Sequence, residues 1–97
     1  MYLMIRTFSD TETEQLFRGQ RPKRLPTQIH RVALRKLLVL DAADTIPDLR
    51  RPPGNRLEKL KGRREGQYSI RINNQWRICF EWDDGDAYEV EITDYHA

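Results

Sequence analysis

Cysteine, histidine and long apolar runs are scarce in this 97-residue chain, which holds one cysteine and two histidines. A single cysteine excludes an internal disulfide framework and suits a reducing cytosol, so we expect a cytoplasmic protein. Cys79, His30 and His96 lie far apart along the chain, a spacing that argues against a structural zinc. No apolar run approaches the roughly 18 residues of a membrane span, and no signal-peptide pattern opens the chain. We therefore predict no metal, no cofactor and no membrane contact.

The length predicts one small domain, residues 1–97, with a modest core. Hydrophobic residues make up 38% of the chain, which is too much for a disordered segment. The N-terminus offers two alternative starts, Met1 and Met4.

Charge is unevenly distributed, although the formal net charge is only +2. Two basic blocks, residues 18–36 and 50–64, hold seven Lys and Arg each, and Glu58 is the one acid within them. Residues 81–94 hold seven acids and no Lys or Arg. Three solvated surfaces are the simplest interpretation, but two basic blocks in so small a domain favour a polyanion or an acidic protein as the partner.

The stretch from Gly66 to Trp82 predicts a β-hairpin, because apolar and polar residues alternate on both sides of Asn73-Asn74. The apolar face is aromatic and β-branched and should pack against the core. The same alternation predicts short strands at Tyr2–Phe8 and within Arg56–Lys61, and a last strand ending near Asp94.

Two helices are predicted in the N-terminal half. The first spans about Asp10 to Arg18, with Ser9 and Glu12 as a capping box and Gly19 after its end. The second runs to about Ala43 with Thr27 as its N-cap. Its apolar stripe comprises Ile29, Val32, Ala33, Leu37 and Leu40, and Lys36 and the surface residue His30 lie off it.

Prolines predict an irregular segment from Thr45 to Asn55. The element order therefore indicates an α+β fold, with two N-terminal helices packed on one face of a small, mainly antiparallel sheet.

Side-chain alternation places Tyr88, Val90 and Ile92 on the helix side of the last strand. Tyr95 then has the parity to lie on the opposite, open face beside Arg71 and Arg77. Arginine, lysine, tyrosine and a terminal histidine together suggest metal-free cleavage of RNA by its 2′-OH, which needs a base, an acid and cations for the phosphorane. The alternative is structural, with both arginines paired to Glu89 and Glu91 across the sheet.

The run PPGNRLEKLKGRREGQYSIRINNQWRICFEW, followed by EVEITDYH, resembles the HigB-like branch of the RelE/ParE toxin superfamily. The likeness extends from about Met4 to His96. It implies a RelE-like fold and a bacterial toxin of a type II toxin–antitoxin pair that enters the ribosomal A site and cuts mRNA there without metal.

The resemblance also implies roles for individual residues. Asp94-Tyr95-His96 matches the catalytic run of the family, Arg77 the arginine that stabilises the scissile phosphate, and Lys61 a basic active-site position. Some relatives carry a catalytic histidine where this chain has Glu58. Either Glu58 accepts the proton or Tyr95 and His96 carry the acid–base work, and we favour the second option. The candidate RNA-binding residues are Arg56, Lys59, Arg63, Arg64 and Arg71.

The partners implied by the resemblance are the ribosome, mRNA and a HigA-like helix-turn-helix antitoxin, with operator DNA contacted only through the antitoxin complex. Two alternatives remain at this point. One is a ParE-like inhibitor of DNA gyrase, and the other is a non-catalytic toxin-like module that acts in antitoxin-linked transcriptional regulation.

Overall fold

The computed structural model describes residues 4–51 and 53–94. Helices α1, α2 and α3 span Thr11–Phe17, Thr27–Ala42 and Ile46–Arg50. Strands β1 to β4 span Glu58–Lys59, Gln67–Arg71, Trp76–Asp83 and Asp86–Asp94. Short 3-10 turns lie at Pro53–Asn55 and Gly62–Arg64.

The four strands form an antiparallel meander in the order β1-β2-β3-β4. Helices α1 and α2 pack on one face of this sheet, which we call the helix face. The predicted α+β architecture is confirmed. Within the described ranges, no helix is long and apolar enough to cross a membrane.

One apolar cluster forms the core between α2 and the helix face. Its fully buried members include Leu37 and Leu40 from α2 and Ile70, Ile78 and Phe80 from the sheet. Complete burial of side chains this large contributes about 1.5–3 kcal/mol each, so the apolar faces of α2 and of the hairpin both stabilise the fold.

The hairpin of β2 and β3 is confirmed, but its turn is not built as predicted. Neither Asn73 nor Asn74 has a positive φ. The Asn73 side chain instead accepts the backbone N–H groups of Gln75 and Trp76, both at 2.8 Å. The two-residue loop with positive φ lies between β3 and β4, at Asp84 and Gly85, with φ of 49° and 85°.

A β-bulge in the β3–β4 pairing corrects the predicted parity of the last strand. The register shifts between Cys79 and Glu81, and Glu89 has a φ of +52°. Ala87 pairs with Trp82 and is fully buried, whereas Tyr88 pairs with Glu81 on the other side of the sheet. The prediction that Tyr88 faces the helices is therefore wrong, because the extra residue of a bulge reverses the alternation.

The N-terminal segment does not form a regular strand within its described part. Ile5 and Phe8 make isolated parallel bridges to Ala87 and Val90, which lie on β4. Asp41 at the end of α2 holds this segment by accepting the backbone N–H groups of Met4 and Ile5, both at 3.1 Å.

The helix caps also differ from the predicted ones. Asp10, and not Ser9, is the N-cap of α1, and its carboxylate accepts the N–H of Thr13 at 3.1 Å. Ser9 donates to the Glu89 carboxylate at 3.2 Å. Pro26 is the N-cap of α2, so Thr27 is its first helical residue.

The segment predicted to be irregular contains α3. Pro47 stands in the first turn of this helix, where the missing N–H costs no hydrogen bond. Thr45 and Asp48 form a capping box that starts the helix. Two backbone N–H groups, of Thr45 and Asp44, hold the pKa of the Asp48 carboxyl below its usual value.

Candidate functional site

The sheet face opposite the helices, which we call the polar face, is covered at its centre. Ser69 and Cys79 are fully buried there and Arg77 is only 7% exposed. The expectation that Arg77 lies on an open face is therefore wrong. Alternation correctly put these side chains opposite the core, but it carries no information about what covers them.

Arg77 is held by the protein at two of its nitrogens. Its Nε donates to the Ser69 hydroxyl at 2.7 Å, and its Nη2 donates to the Arg56 carbonyl at 2.6 Å. A weaker contact joins Nη2 to the Ser69 carbonyl at 3.4 Å. These bonds fix the plane of the guanidinium, which presents its Nη1 edge toward Glu58.

Glu58 lies within ion-pair distance of that edge, with 3.5 Å between its Oε1 and Arg77 Nη1. Its side chain is 52% exposed, whereas that of Arg77 is 9% exposed. The register explains the contact, because Glu58 pairs with Ser69 and therefore stands on the polar face. The half-exposed carboxylate therefore lies on the solvent side of the buried guanidinium, and an anion that displaced it would meet a fixed cation.

Arg64 lies nearer the other side of the polar face. Its Nη1 donates to the Glu91 carboxylate at 2.7 Å and to the Gln67 amide oxygen at 3.0 Å. This bridge joins the Gly62–Arg64 turn to β4 and stands close to Cys79. Burial raises the pKa of the Cys79 thiol, so the thiol stays protonated at neutral pH. Arg64, expected to bind RNA, is thus engaged in an ion pair within the protein.

The second basic block, residues 50–64, carries exposed cations on both sides of Glu58 in the sequence. Arg56, Lys61 and Arg63 are exposed, and an open groove of about 420 Å³ runs beside Lys61, with Lys59, Leu60, Gly62 and Glu65 in its walls. Lys59 pairs with Tyr68, so β1 directs it to the helix face and away from Arg77. The structure therefore brings Glu58, Arg77 and the Arg56 backbone together, but not Lys59.

Two further predicted residues lie at the end of the hairpin. Arg71 stands directly opposite Arg77 in the β2–β3 register, and its Nη2 donates to the Asn74 side chain. Asp94 pairs with Trp76, which places it on the helix face, and it accepts a hydrogen bond from Gln75 at 3.1 Å. Asp94 is therefore not gathered with Arg77. Tyr95 and His96 lie outside the described residues.

The predicted structural pairing of both arginines with Glu89 and Glu91 differs from the contacts seen. Glu91 binds Arg64, Glu89 accepts from Ser9, and Arg77 forms an ion pair with Glu58. In the part of the chain that the structure describes, no three His, Cys, Asp or Glu side chains are grouped to hold a metal.

Sequence reasoning missed the burial of several polar residues, among them Lys36 and Asn55. Lys36 is 9% exposed and donates to the Asn55 side chain, which is fully buried. A signal for Lys36 was present, since position 36 follows Ala33 by three and precedes Leu40 by four, as the apolar stripe requires. Lys36 was nevertheless placed off this stripe, because its side chain is charged. Nothing in the local pattern marks Asn55.

The model of the HigB-like toxin family, described as RelE-like toxins of the type II toxin–antitoxin system HigB, matches residues 6–96. Toxin HigB-1 of Vibrio cholerae serotype O1 is 46% identical over 86 residues, which cover 88% of this chain and 90% of that protein. Endoribonuclease HigB of Proteus vulgaris is 37% identical over 94 residues, which cover 96% of this chain and all of that one.

A solved structure, the YoeB-YefM complex from Staphylococcus aureus, contains a chain with the same fold. Its TM-score is 0.51 at 18% identity, and the match covers 96% of this chain and 98% of that one. The family model and the two curated relatives each span most of the chain. The chain therefore belongs to the HigB-like toxins, the RelE-like toxins of type II toxin–antitoxin systems.

Proposed function

We propose that this toxin is a ribosome-dependent endoribonuclease that cuts mRNA in the ribosomal A site by metal-free attack of a ribose 2′-OH. A cognate HigA-like antitoxin would restrain it in the bacterial cytoplasm and would carry its only contact with operator DNA. Family membership supports the toxin role, and the name of the Proteus vulgaris relative supports ribonuclease activity.

The observation that carries the proposal is the fixed guanidinium of Arg77 beside the half-exposed Glu58, which lies within the basic block at residues 50–64. Two neutral acceptors, Ser69 and the Arg56 carbonyl, hold Arg77 without neutralising its charge. A preorganised cation of this kind stabilises the negative charge that develops on a phosphorane, at no reorganisation cost during the reaction. Glu58 is weakly held because it is half exposed, so a phosphate can displace it.

We assign the acid–base work to Tyr95 and His96, and to Glu58 the task of occupying Arg77 before RNA arrives. General acid–base groups contribute about 10²- to 10⁴-fold to such a reaction. Deleting residues 95–97 should therefore lower cleavage by about 10²-fold or more. Glu58→Gln should keep cleavage within about tenfold of the parent protein, since a displaced side chain takes no part in proton transfer.

The exposed cations provide the docking charge. Arg56, Lys61 and Arg63 lie on one continuous segment, and contacts of Lys and Arg to phosphates release counterions. Ribosome binding should therefore weaken steeply as salt rises. Arg63→Gln should reduce the slope of log affinity against log salt by about one unit.

The test is a translation extract supplied with the purified toxin and a defined mRNA whose 5′ ends are mapped. Cuts that appear inside the reading frame only when ribosomes are present support the proposal. A second mRNA with a single 2′-deoxynucleotide at the mapped cut should resist cleavage at that position alone, because the attacking hydroxyl is gone. Intact translation together with blocked DNA supercoiling by gyrase would instead support the gyrase inhibitor. If both translation and supercoiling stay intact, the result would favour the non-catalytic module that acts in transcriptional regulation.

A further inference from the structure

Lys36 is a buried cation that the proposed chemistry does not use. It stands on the core-facing stripe of α2, 9% exposed. Burial, and to a smaller extent the charge of Arg35, lowers its pKa. Lysines are rarely buried to this extent, because the ammonium loses its hydration. A methionine would fill the same space without this cost, so the ammonium calls for a specific reason.

The ammonium donates to the side-chain oxygen of Asn55. Asn55 is fully buried, and its Nδ2 donates to the carbonyl of Leu49 at 3.1 Å. One carboxamide thus joins α2 to the end of α3 and uses both its acceptor and its donor. This fixes the position of the backbone at residue 55.

The next residue, Arg56, is held in an unusual conformation. Its φ is +43°, in the left-handed region that non-glycine residues adopt uncommonly. Its carbonyl accepts the Nη2 of Arg77 at 2.6 Å. A conformation of this kind persists where its surroundings impose it, and Asn55 is the adjoining anchor.

We propose that Lys36 and Asn55 are positioning residues, which hold the Arg56 carbonyl and through it orient the guanidinium of Arg77. This inference rests on the proposed function only in so far as Arg77 acts on a phosphate. The orientation matters because the bonds to Nε and Nη2 turn the Nη1 edge toward Glu58. Without the Arg56 carbonyl, the guanidinium keeps the Ser69 bond at Nε and a weak contact at Nη2. Rotation about its Cδ–Nε bond is then less restricted, and the direction of Nη1 is less well fixed.

Three variants separate positioning from stability. Lys36→Met removes the ammonium and leaves the Asn55 oxygen buried without its donor. The double variant Lys36→Met/Asn55→Leu replaces the polar pair with apolar groups of similar size, which restores much of the stability but not the link to residue 56. Arg6→Met is the control. Arg6 lies outside both basic blocks and makes a surface ion pair with Asp86 at 3.2 Å. The substitution therefore removes one positive charge without touching Lys36 or Asn55.

The first measurement does not depend on nuclease activity. The Nε–Hε signal of Arg77 in the proton–nitrogen NMR spectrum is assigned by its loss in Arg77→Lys. We expect its exchange with water to quicken by about tenfold or more in both Lys36 variants, because the bonds that fix the guanidinium open more often. The backbone amide spectrum should remain that of a folded protein, and Arg6→Met should leave the signal unchanged.

The second measurement is single-turnover mRNA cleavage at increasing ribosome concentration. Misplacement of a catalytic group by about 1 Å costs about 10²-fold in rate, so the maximal rate constant should fall about 10- to 100-fold in the double variant. The half-saturating ribosome concentration should stay within about twofold, because no docking cation is removed.

The two readouts distinguish the possible failures. A folded double variant with unchanged exchange at Arg77 Nε and unchanged cleavage would overturn the positioning role. A loss of cleavage in proportion to the unfolded fraction would also overturn it, since Lys36 would then act on stability alone. An unmodified toxin that cuts no mRNA would refute the proposed function, and the exchange of Arg77 Nε–Hε would still decide whether Lys36 and Asn55 orient Arg77.

Discussion

Replacing Arg77 with alanine should destabilise the protein as well as inactivate it. The substitution leaves two acceptors without their donor: the hydroxyl of Ser69, which is buried, and the carbonyl of Arg56. A buried polar group that loses its partner costs about 1–3 kcal/mol. The lost ion pair with half-exposed Glu58 adds little, because water replaces it.

The bond to the Arg56 carbonyl is only partly buried, so that acceptor counts at the low end of this range. Together these terms predict a loss of about 2–4 kcal/mol, which is a large part of the roughly 5–15 kcal/mol that stabilises a typical domain. For a chain of this size, 1 kcal/mol corresponds to about 4–8 °C in Tm, so the midpoint should fall by about 8–32 °C. Urea unfolding followed by tryptophan fluorescence measures the change, provided that the dependence on urea concentration is unaltered.

Arg71→Ala is the matched control. Arg71 stands opposite Arg77 in the strand register. Arg71 is only partly buried, and it donates a hydrogen bond to the exposed side chain of Asn74. The cost of this substitution should remain within about 0.5 kcal/mol. An Arg77→Ala protein as stable as the parent would refute the reasoning, because it would mean that the bonds to Ser69 and Arg56 contribute nothing to folding. Loss of toxicity in Arg77→Ala alone is therefore no measure of catalysis.

Two further outcomes test the fold and its pH dependence. Asp10→Ala should lower the free energy of unfolding, measured in urea, by about 1 kcal/mol, because the Asp10 carboxylate caps α1. Ser9→Ala should change it by no more than about 0.5 kcal/mol. Equal losses in the two variants would contradict the assigned cap. The raised pKa of Cys79 means that above the ordinary thiol value of 9.0 the unfolded chain loses a proton that the folded protein keeps. The difference in unfolding free energy between the parent protein and Cys79→Ala should therefore shift against the parent as pH rises through this range. If that difference stays constant between about pH 8 and 10, the thiol is not shielded from solvent.

The hairpin and the element order follow from the sequence because they depend on local alternation. Tyr68, Ile70, Ile78 and Phe80 recur with a period of two and are found on the helix face. The bulge at Glu89 could not be predicted, because one inserted residue reverses the alternation and leaves no compositional signal. The positive φ predicted for the Asn73-Asn74 turn was also wrong, because an Asn side chain can accept backbone N–H groups and close a turn without a positive φ.

The structure brings together two of the candidate site residues named from the sequence. Arg77 Nη1 and Glu58 Oε1 lie 3.5 Å apart. Arg64 was expected to face RNA but binds Glu91, and Lys59 points to the helix face. These outcomes depend on strand register and on contacts between residues far apart in the chain, and neither is encoded in the charge of a single residue.

The amino-acid sequence by itself determined the family, the alternating hairpin at 66–82 and the basic character of residues 50–64. The hairpin and the basic character are properties of residues that are close together in the chain, and the family follows from the order of its motifs along the chain. Only the tertiary structure decided that Arg77 and Lys36 are buried, and that Asn55 and Arg56 connect them. Burial depends on which distant segment covers a side chain, and a charged residue becomes part of the interior only where that segment supplies acceptors for its donors.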